Sequence, residues 1–362
     1  MLELLGSVVA GQSVGSAAVS TLLTVKTDPR WVWLALQSEG AGFSLLAGVV
    51  LLYVGAESLV KGAKGVTTDL GVRAAVAGVT VVAFATTAPE LFVAIVGGLE
   101  KTTTIGLGAV IGSNVANIGL VLGLSALVRP LVVSRETVRR HLPFMALAAV
   151  LLVALGYDGT LGTVDGGVLL LALAAFTVVL LRGVSDDSGV KDDPADDEIA
   201  TDGGTTFASP SSRIAALSPR DLAFLVAGLV LLLVGARRLV DGGTTALYLL
   251  GGSDRLVGVS VLALGTSLPE LAASLVSAFR GESDFSVGNV VGSNIYNVLA
   301  VLGVLTLLSP IRVPSTVVST DFPALLVATA FCGLLLAVRG RIGRLAGGVL
   351  IGGYLVYVSL LV

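Results

Sequence analysis

The chain has 362 residues and a formal net charge of −3; 54% of its residues are hydrophobic and only 13% are charged, which predicts a polytopic membrane protein. Its single cysteine, Cys332, and single histidine, His141, exclude a disulfide and a thiolate or imidazole metal cluster. No polar region is large enough for a soluble catalytic domain, so we expect neither an enzyme nor a resident cofactor.

Residues 1–42 form an N-terminal extension that is partly apolar, rich in small residues and compatible with one extra helix. Residues 11–15 match the G-x-S-x-G pattern of hydrolases. That pattern requires a position between a strand and a helix, which this stretch lacks. We therefore interpret the match as chance and not as a sign of an intramembrane hydrolase.

Ten apolar runs of about 17–25 residues follow, and each is long enough to cross a bilayer as a helix. The first half of the chain contains five of them, near residues 43–62, 72–100, 104–128, 138–156 and 164–182. The second half contains the other five, near residues 221–242, 255–280, 285–308, 321–338 and 343–361. The predicted fold class is an all-α membrane protein with about ten transmembrane helices.

Residues 183–220 separate the two halves as an acidic linker. Its many aspartates lie among Gly, Ser, Thr and Pro, a composition that cannot bury a core and predicts a disordered tether. Calcium sensing by these acids is the alternative interpretation. Of the lysines and arginines, fifteen fall on the linker side of the membrane and seven on the other side. The positive-inside rule therefore predicts a cytoplasmic linker and two external termini.

The chain contains an internal duplication with a constant offset of 180 residues. Residues 78–124 and 258–304 align without a gap and share 18 identical positions. Because each half has an odd number of spans, the second copy enters the membrane in the opposite orientation, which is an inverted-repeat architecture. We expect the two five-helix repeats to occupy residues 43–182 and 221–362.

Each copy carries one polar string inside an apolar segment. The first string is Thr86-Thr87-Ala88-Pro89-Glu90, and the second is Thr266-Ser267-Leu268-Pro269-Glu270. A carboxylate in hydrocarbon is costly, so its presence in both copies points to function. Proline inside a spanning helix removes a backbone donor, which predicts free carbonyl oxygens near Ala83 and Ala263. The hydroxyls lie three or four residues from the glutamate and share a helical face with it.

Each copy then adds the motif Gly-Ser-Asn-x-x-Asn, whose serine and last asparagine lie four residues apart on one helical face. These residues are Ser113 and Asn117 in the first copy and Ser293 and Asn297 in the second. For Asn114 and Asn294, ligand and packing roles are equally compatible with the pattern. The spacing Gly108-x-x-x-Gly112, repeated at 288 and 292, is typical of close helix packing, which is the alternative function of the motif.

Two carboxylates, several neutral oxygens and no soft ligand describe a site for calcium or sodium rather than for zinc or copper. Two negative charges match one calcium ion, and they also match two or more sodium ions. We hypothesise that occupancy by the two ions is mutually exclusive, which would be a physical basis for antiport.

In these residues the chain resembles the calcium/cation antiporter superfamily, and most closely its prokaryotic sodium/calcium exchangers, whose α-repeats the two strings match. The resemblance covers roughly residues 43–362. It implies ten helices, an inverted repeat, a midplane ion site and carboxylate ligands at Glu90 and Glu270. It further implies hydroxyl ligands at Thr86, Thr87, Ser113, Thr266, Ser267 and Ser293. It also implies backbone ligands at the carbonyls of Ala83 and Ala263, and amide ligands at Asn117 and Asn297.

Three features depart from the family pattern. Asn297 is neutral where some members carry aspartate, which argues against potassium cotransport. The first string has Ala85-Thr86-Thr87-Ala88 where the family more often has Gly-Thr-Ser-Leu, and we expect this change to affect one sodium site. The extension before residue 43 has no counterpart in the family's minimal form.

The resemblance implies a secondary antiporter in the cell membrane that exports calcium against an inward flow of sodium. A proton/calcium antiporter on the same scaffold is the alternative, because protonation of Glu90 and Glu270 could release calcium. A passive channel is a further class, which differs in that its flux needs no counter-ion. We expect a monomer in the lipid bilayer that transports calcium and sodium ions and binds no nucleic acid.

Overall fold

The computed structural model describes residues 29–70, 76, 78–88, 90–91, 103–187, 218–250 and 265–361. Several features named above lie outside these described residues. They are the G-x-S-x-G pattern at residues 11–15, Pro89, most of the acidic linker, and Ala263.

The described residues form ten helices, five in each half of the chain. The first five are α1 (Pro29–Leu70), α2 (Gly78–Ala88), α3 (Thr103–Ala116 continued by Asn117–Val121 and Leu122–Val128), α4 (Thr137–Gly156) and α5 (Thr163–Asp187). The second five are α6 (Pro219–Leu249), α7 (Leu268–Arg280), α8 (Ser283–Leu308), α9 (Val317–Arg339) and α10 (Arg344–Leu361). Eight helices are long and apolar enough to cross a membrane, while α2 and α7 are shorter within the described residues. The predicted all-α membrane fold is confirmed.

Two helix boundaries differ from those predicted. Helix α1 begins at Pro29 and not near residue 43, so residues 29–42 of the N-terminal extension continue directly into the first span. Helix α7 begins at Leu268, so Pro269 lies in its first turn. The described residues contain a break in the helix just before this proline, since Gly265 is helical and Thr266 and Ser267 form a turn. In the first turn of α7 a residue without an N–H fits at no cost.

Two short strand pairs fix the relative direction of the halves. Strand β1 (Leu131–Val132), which follows α3, pairs with β4 (Arg341–Ile342), which lies between α9 and α10. Strand β2 (Thr160–Leu161), between α4 and α5, pairs with β3 (Ile311–Arg312), which follows α8. Because α4 separates β1 from β2, the two pairs mark opposite faces of the membrane, here called the β1–β4 face and the β2–β3 face. Helices α3 and α8 therefore end on opposite faces, and the two halves are inverted.

Helices α3 and α8 form the centre of the molecule. In their apolar windows 72% and 83% of the residues are buried, against 22–33% in the other six long spans. Both central helices contribute apolar side chains to one continuous core. Polar groups on α3 and α8 are therefore held among protein atoms and not in lipid.

Helices α1 and α6 pack against one another along their length as an antiparallel pair. Glycines recur every seven residues on both helices, and these residues, here called the glycine seam, are Gly48, Gly55, Gly62, Gly228, Gly235 and Gly242. A Cβ atom added at Gly228 would lie 2.4 Å from the Leu59 backbone nitrogen, and one at Gly48 would lie 2.8 Å from the Leu239 nitrogen. Glycine is needed here because the two backbones approach too closely for any side chain.

Close packing at the Gly-Ser-Asn motif is present in the second copy. A Cβ atom at Gly292 would lie 2.5 Å from the Val79 carbonyl oxygen, so α8 of the second half packs directly on α2 of the first. At Gly108 and Gly112 no described atom comes within 4 Å of such a Cβ. The contact at Gly292 places the polar string of one repeat beside the asparagine motif of the other.

Candidate cation site

Helices α2, α3, α7 and α8 bring both polar strings and both Gly-Ser-Asn motifs together. The Thr86 hydroxyl of α2 lies 3.4 Å from the Ser293 hydroxyl of α8. The repeat-equivalent contact joins Thr266, just before α7, to Ser113 of α3 at 3.1 Å. Since each pair joins one half of the chain to the other, the site lies at the interface of the inverted repeats.

Four asparagines cross-link α3 and α8 beside these hydroxyls. Asn114 and Asn294 each donate an amide hydrogen to the other's backbone carbonyl, at 3.3 Å in both directions. Asn117 donates to the Asn294 side-chain oxygen at 3.2 Å, and Asn297 donates to that of Asn114 at 3.0 Å. Asn114 and Asn294 thus connect the two central helices, and the amide oxygens of Asn117 and Asn297 are left without a hydrogen-bond partner among the described residues.

The helices widen where these asparagines lie. Each central helix contains a π-helical turn, Asn117–Val121 in α3 and Asn297–Leu302 in α8, and in both cases the turn begins at the last asparagine of the motif. Such turns disturb the regular backbone ladder and are common at functional sites. The repeat of this feature at equivalent positions indicates that the local backbone shape belongs to the site.

Seven buried oxygen atoms at the site have no hydrogen-bond partner within the part of the chain that the structure describes. They form three repeat-related sets, namely the hydroxyls of Thr87 and Ser267, carboxylate oxygens of Glu90 and Glu270, and the amide oxygens of Asn117 and Asn297. An unpaired buried polar atom costs about 1–3 kcal/mol and therefore requires an explanation. All seven atoms can donate an electron pair to a hard cation, which would satisfy them together.

The two glutamates carry the negative charge of the site. Glu90 lines the same cavity as Thr266, and Glu270 follows Thr266 by four residues, so both carboxylates belong to this interface. Glu270 is 1% exposed, and it lies in the first turn of α7, where the free N–H groups favour a carboxylate. Two buried like charges are costly unless positive charge neutralises them, so the pair suits a divalent cation or several monovalent ones.

A cavity of about 130 Å³ connects Glu90 to the hydroxyls of Ser113 and Thr266. It lies between α3, α6, α7 and α8 and is otherwise largely apolar. The α3 residues that line the cavity lie near the start of α3, which is the end of that helix farther from β1. The α8 residue that lines it, Val301, lies near the end of α8 at β3. The cavity therefore occupies the half of the membrane next to the β2–β3 face.

Asn289 of α8 is a polar residue of the site that the repeat comparison missed. Its amide donates to the Ser274 hydroxyl at 3.0 Å and to the Glu270 carbonyl at 3.3 Å, and its side-chain oxygen accepts from Thr86 at 3.2 Å. The equivalent position in the first copy is Ala109, so a search restricted to shared residues passes over it. Its spacing of four from Ser293 was a signal that could have found it.

The structure brings eight of the predicted site residues into this interface: Thr86, Glu90, Ser113, Asn117, Thr266, Glu270, Ser293 and Asn297. Thr87 and Ser267 are buried next to them in the sequence, and their hydroxyls have no partner among the described residues. The Ala83 carbonyl oxygen faces the same group of residues and lies 3.2 Å from the Thr86 hydroxyl, whose single hydrogen it shares with the Asn289 side-chain oxygen. Ala263 lies outside the described residues, so the matching carbonyl of the second copy has no described geometry. An inverted repeat with paired carboxylates and neutral oxygens at its interface is typical of membrane transporters of cations.

Comparison with known proteins agrees with this class. The family model described as "Sodium/calcium exchanger protein" matches residues 41–182 and 221–362, which is most of the chain. The chain therefore belongs to the sodium/calcium exchanger family, and it is a multi-pass membrane antiporter of the calcium/cation class.

Individual relatives are similar over nearly their whole length. The chain is 34% identical over 321 residues to the putative antiporter CaxA of Alkalimonas amylolytica, covering 88% of this chain and 97% of the relative. It is 27% identical over 339 residues to the sodium/calcium exchanger MaX1 of Methanosarcina acetivorans, covering 88% and 97%. A solved structure of the sodium-calcium exchanger NCX_Mj, soaked with zero Na⁺ and Ca²⁺, superimposes with a TM-score of 0.72 at 29% identity, covering 89% of this chain and 99% of that one.

Proposed function

We propose that this protein exchanges sodium for calcium across the cell membrane by alternating access and exports calcium from the cytoplasm. The observation that carries the proposal is the set of seven unpaired buried oxygens among the described residues, arranged in repeat-related sets around Glu90 and Glu270. This is the donor set of a hard cation, and the relatives MaX1 and NCX_Mj are both named as sodium/calcium exchangers.

The charge of the site supplies a reason for exchange. Glu90 and Glu270 together carry two negative charges when both are ionised. One calcium ion neutralises them, and two or more sodium ions do the same with different ligands. The site is stable when it holds calcium and when it holds sodium, whereas without cations two like charges are buried together. Calcium and sodium therefore compete for the same oxygens, and the loaded site is the form that changes access.

The proposed ligand set follows the repeat. Carboxylates of Glu90 and Glu270 bind calcium, and neutral oxygens complete the coordination of calcium or sodium. These neutral ligands are the hydroxyls of Thr86, Thr87, Ser113, Thr266, Ser267 and Ser293, the amide oxygens of Asn117 and Asn297, and the backbone carbonyls of Ala83 and Ala263. We take residues 43–182 and 221–362 as the two repeats that supply them, with residues 183–220 as the linker.

The proposed orientation places the β1–β4 face in the cytoplasm. Arg339, Arg341 and Arg344 cluster at this face, and the linker leaves it because α5 ends and α6 begins there. The excess of basic residues matches the positive-inside rule. The cavity beside Glu90 would then open toward the exterior, and the described conformation corresponds to one that receives sodium from outside.

The coupling ion can be tested with inside-out membrane vesicles. Vesicles loaded with sodium and diluted into sodium-free medium are expected to accumulate radioactive calcium, because outward movement of sodium drives calcium inward. Vesicles without sodium but with an acidic lumen are expected to show only background uptake. Uptake driven by the pH gradient alone would instead support a proton/calcium antiporter, and uptake with no counter-ion would support a channel.

We expect replacement of Asn289 by alanine to weaken calcium binding without abolishing exchange. The change removes the hydrogen bonds that Asn289 makes with the hydroxyls of Thr86 and Ser274. It also removes the hydrogen bond from Asn289 to the Glu270 carbonyl, which fixes the start of α7. The half-saturating calcium concentration in the vesicle assay should rise by about tenfold, which corresponds to about 1.4 kcal/mol.

Thr329→Ala provides a matched control for this variant. Thr329 is a buried polar residue of α9 outside the site, and its hydroxyl, unlike the Asn289 amide, has no partner among the described residues. The control should leave the half-saturating calcium concentration unchanged. Equal shifts in the two variants would mean that any buried polar change disturbs the protein and that Asn289 does not position the site.

A further inference from the structure

A long groove separates α9 from α10 on the outer surface of the molecule. Two cavities of about 650 and 670 Å³ lie between these helices and share Phe331 and Val349, so they form one continuous groove. The two helices follow one another in the chain but have few contacts, because α10 packs on α3 and α9 packs on α4. One hydrogen bond, from the Tyr357 hydroxyl of α10 to the Asp321 carboxylate of α9 at 2.9 Å, joins them near the β2–β3 face. The groove is lined mainly by apolar side chains within the membrane-spanning part of the protein.

The equivalent space in the first half is filled by aromatic rings. Between α4 and α5, the rings of Phe144 and Phe176 lie 5.1 Å apart, and Tyr296 lies 6.2 Å from Phe176. The repeat-equivalent residues of Phe144 and Tyr296 are Ala324 and Ala116. Ala324 lines the groove. The lining of the groove therefore differs from that of the equivalent space, with alanine at 324 in place of Phe144 and with Tyr354 and Tyr357 in place of Ala174 and Thr177.

Two arginines border one end of the groove. Arg339 at the end of α9 and Arg341 in β4 line its mouth at the β1–β4 face, and both are exposed. In the described part of the chain, neither forms an ion pair with an acidic side chain. Guanidinium groups at a membrane boundary bind phosphate through charge-assisted hydrogen bonds, so the mouth is complementary to an anion.

We propose that this groove binds an anionic phospholipid, with its phosphate at Arg339 and Arg341 and one acyl chain between α9 and α10. The eight-residue separation of Arg339 and Phe331 corresponds to about 12 Å along the helix, which is most of the hydrocarbon depth of one leaflet. The second cavity continues beyond Phe331 and receives the end of the chain. A soluble anion would use only the arginines and leave the apolar groove uncovered.

Native mass spectrometry of the full-length protein tests the headgroup part of the proposal. The purified protein in detergent is offered equal amounts of dioleoylphosphatidylglycerol and dioleoylphosphatidylcholine, and the retained lipid is identified by mass. We expect one phosphatidylglycerol per chain in clear preference to phosphatidylcholine. Arg339→Gln and Arg341→Gln should reduce that preference by about fivefold each.

The double variant Arg135→Gln/Arg139→Gln is the matched control, because it removes two exposed arginines from the same face outside the groove. It should keep the lipid preference of the natural sequence. Equal retention of both lipids by the natural sequence would overturn the proposal. So would a loss of preference in the control as large as that in the double variant Arg339→Gln/Arg341→Gln. All four arginines are exposed, so thermal unfolding of the variants should match that of the natural protein.

The acyl-chain part is tested separately with Val349→Trp, which fills the groove where its two cavities meet. Val349 is 53% exposed, and Val150 of α4, the control position, is 54% exposed outside the groove. Val349→Trp should remove the bound phosphatidylglycerol, and Val150→Trp should retain it. Retention by both variants would show that the headgroup binds at the arginines without a chain in the groove, which contradicts the proposal.

Discussion

Replacement of Glu270 or Glu90 by glutamine is expected to abolish calcium transport while the protein remains folded. A unit charge at about 4 Å contributes about 4 kcal/mol at an effective dielectric constant of about 20, and a divalent ion doubles this attraction. Loss of one carboxylate therefore lowers calcium affinity by more than about a thousandfold, since about 1.4 kcal/mol corresponds to tenfold. Uptake of radioactive calcium into sodium-loaded vesicles should fall to background for both variants.

Thermal unfolding of the same variants separates loss of binding from loss of structure. Glutamine has the shape of glutamate and removes one of two buried like charges, so the unfolding midpoint should be unchanged or higher. Calcium should raise the midpoint of the natural protein and not that of either variant, because only a ligand that binds the folded state stabilises it. Transport at the natural rate by either glutamine variant would contradict the assignment of both glutamates.

The acidic linker provides the control for charge removal in general. Asp192, Asp193 and Asp196 lie in the segment that the sequence predicts to be a solvated tether. Their combined replacement by asparagine should leave calcium uptake close to that of the natural protein. A loss as large as that of Glu270→Gln would instead support the calcium-sensing interpretation of the linker.

The inverted fold could be predicted from the sequence because the duplicated motifs recur at a constant offset of 180 residues. An odd number of spans per copy requires inversion, and the strand pairs at opposite faces agree with it. The same symmetry explains why the contact of Thr86 with Ser293 is repeated between Thr266 and Ser113, since equivalent residues occupy equivalent places around the axis.

Features that break the repeat were not predictable in this way. The equivalent of Asn289 is Ala109, so the hydrogen bonds of Asn289 do not follow from symmetry. The equivalent of Phe144 is Ala324, so the groove beside Ala324 does not follow from it either. The start of α7 at Leu268 was also missed. A proline in an apolar run is equally compatible with a kinked span and with a new helix, and packing around the run decides between them.

Helix contact in the glycine seam could have been predicted but was overlooked. The glycines of α1 recur at intervals of seven and reappear 180 residues later on α6, which is a pattern of close antiparallel packing. The seam matters because it unites the first helix of each repeat into one pair.

Replacement of Gly228 by alanine is expected to destabilise the protein strongly. The added Cβ atom would lie 2.4 Å from the Leu59 backbone nitrogen and 2.8 Å from the Gly55 carbonyl oxygen. Backbone atoms cannot rotate away as a side chain can, so α1 and α6 have to separate. Overpacking of this kind costs about 1–3 kcal/mol, and the unfolding midpoint in detergent should fall accordingly.

The seam variants can be ranked by distance and compared with a glycine outside the seam. Gly48 is the repeat-equivalent of Gly228, but its added Cβ would lie 2.8 Å from the nearest backbone atom, so Gly48→Ala should be the milder variant. At Gly348 of α10 an added Cβ meets no atom within 4 Å. Gly348→Ala should therefore leave the midpoint unchanged or raise it, because alanine favours the helix by about 1 kcal/mol. Equal unfolding midpoints for Gly228→Ala and Gly348→Ala would show that α1 and α6 do not need glycine to pack. The spacing of seven residues between the seam glycines would then have no structural role.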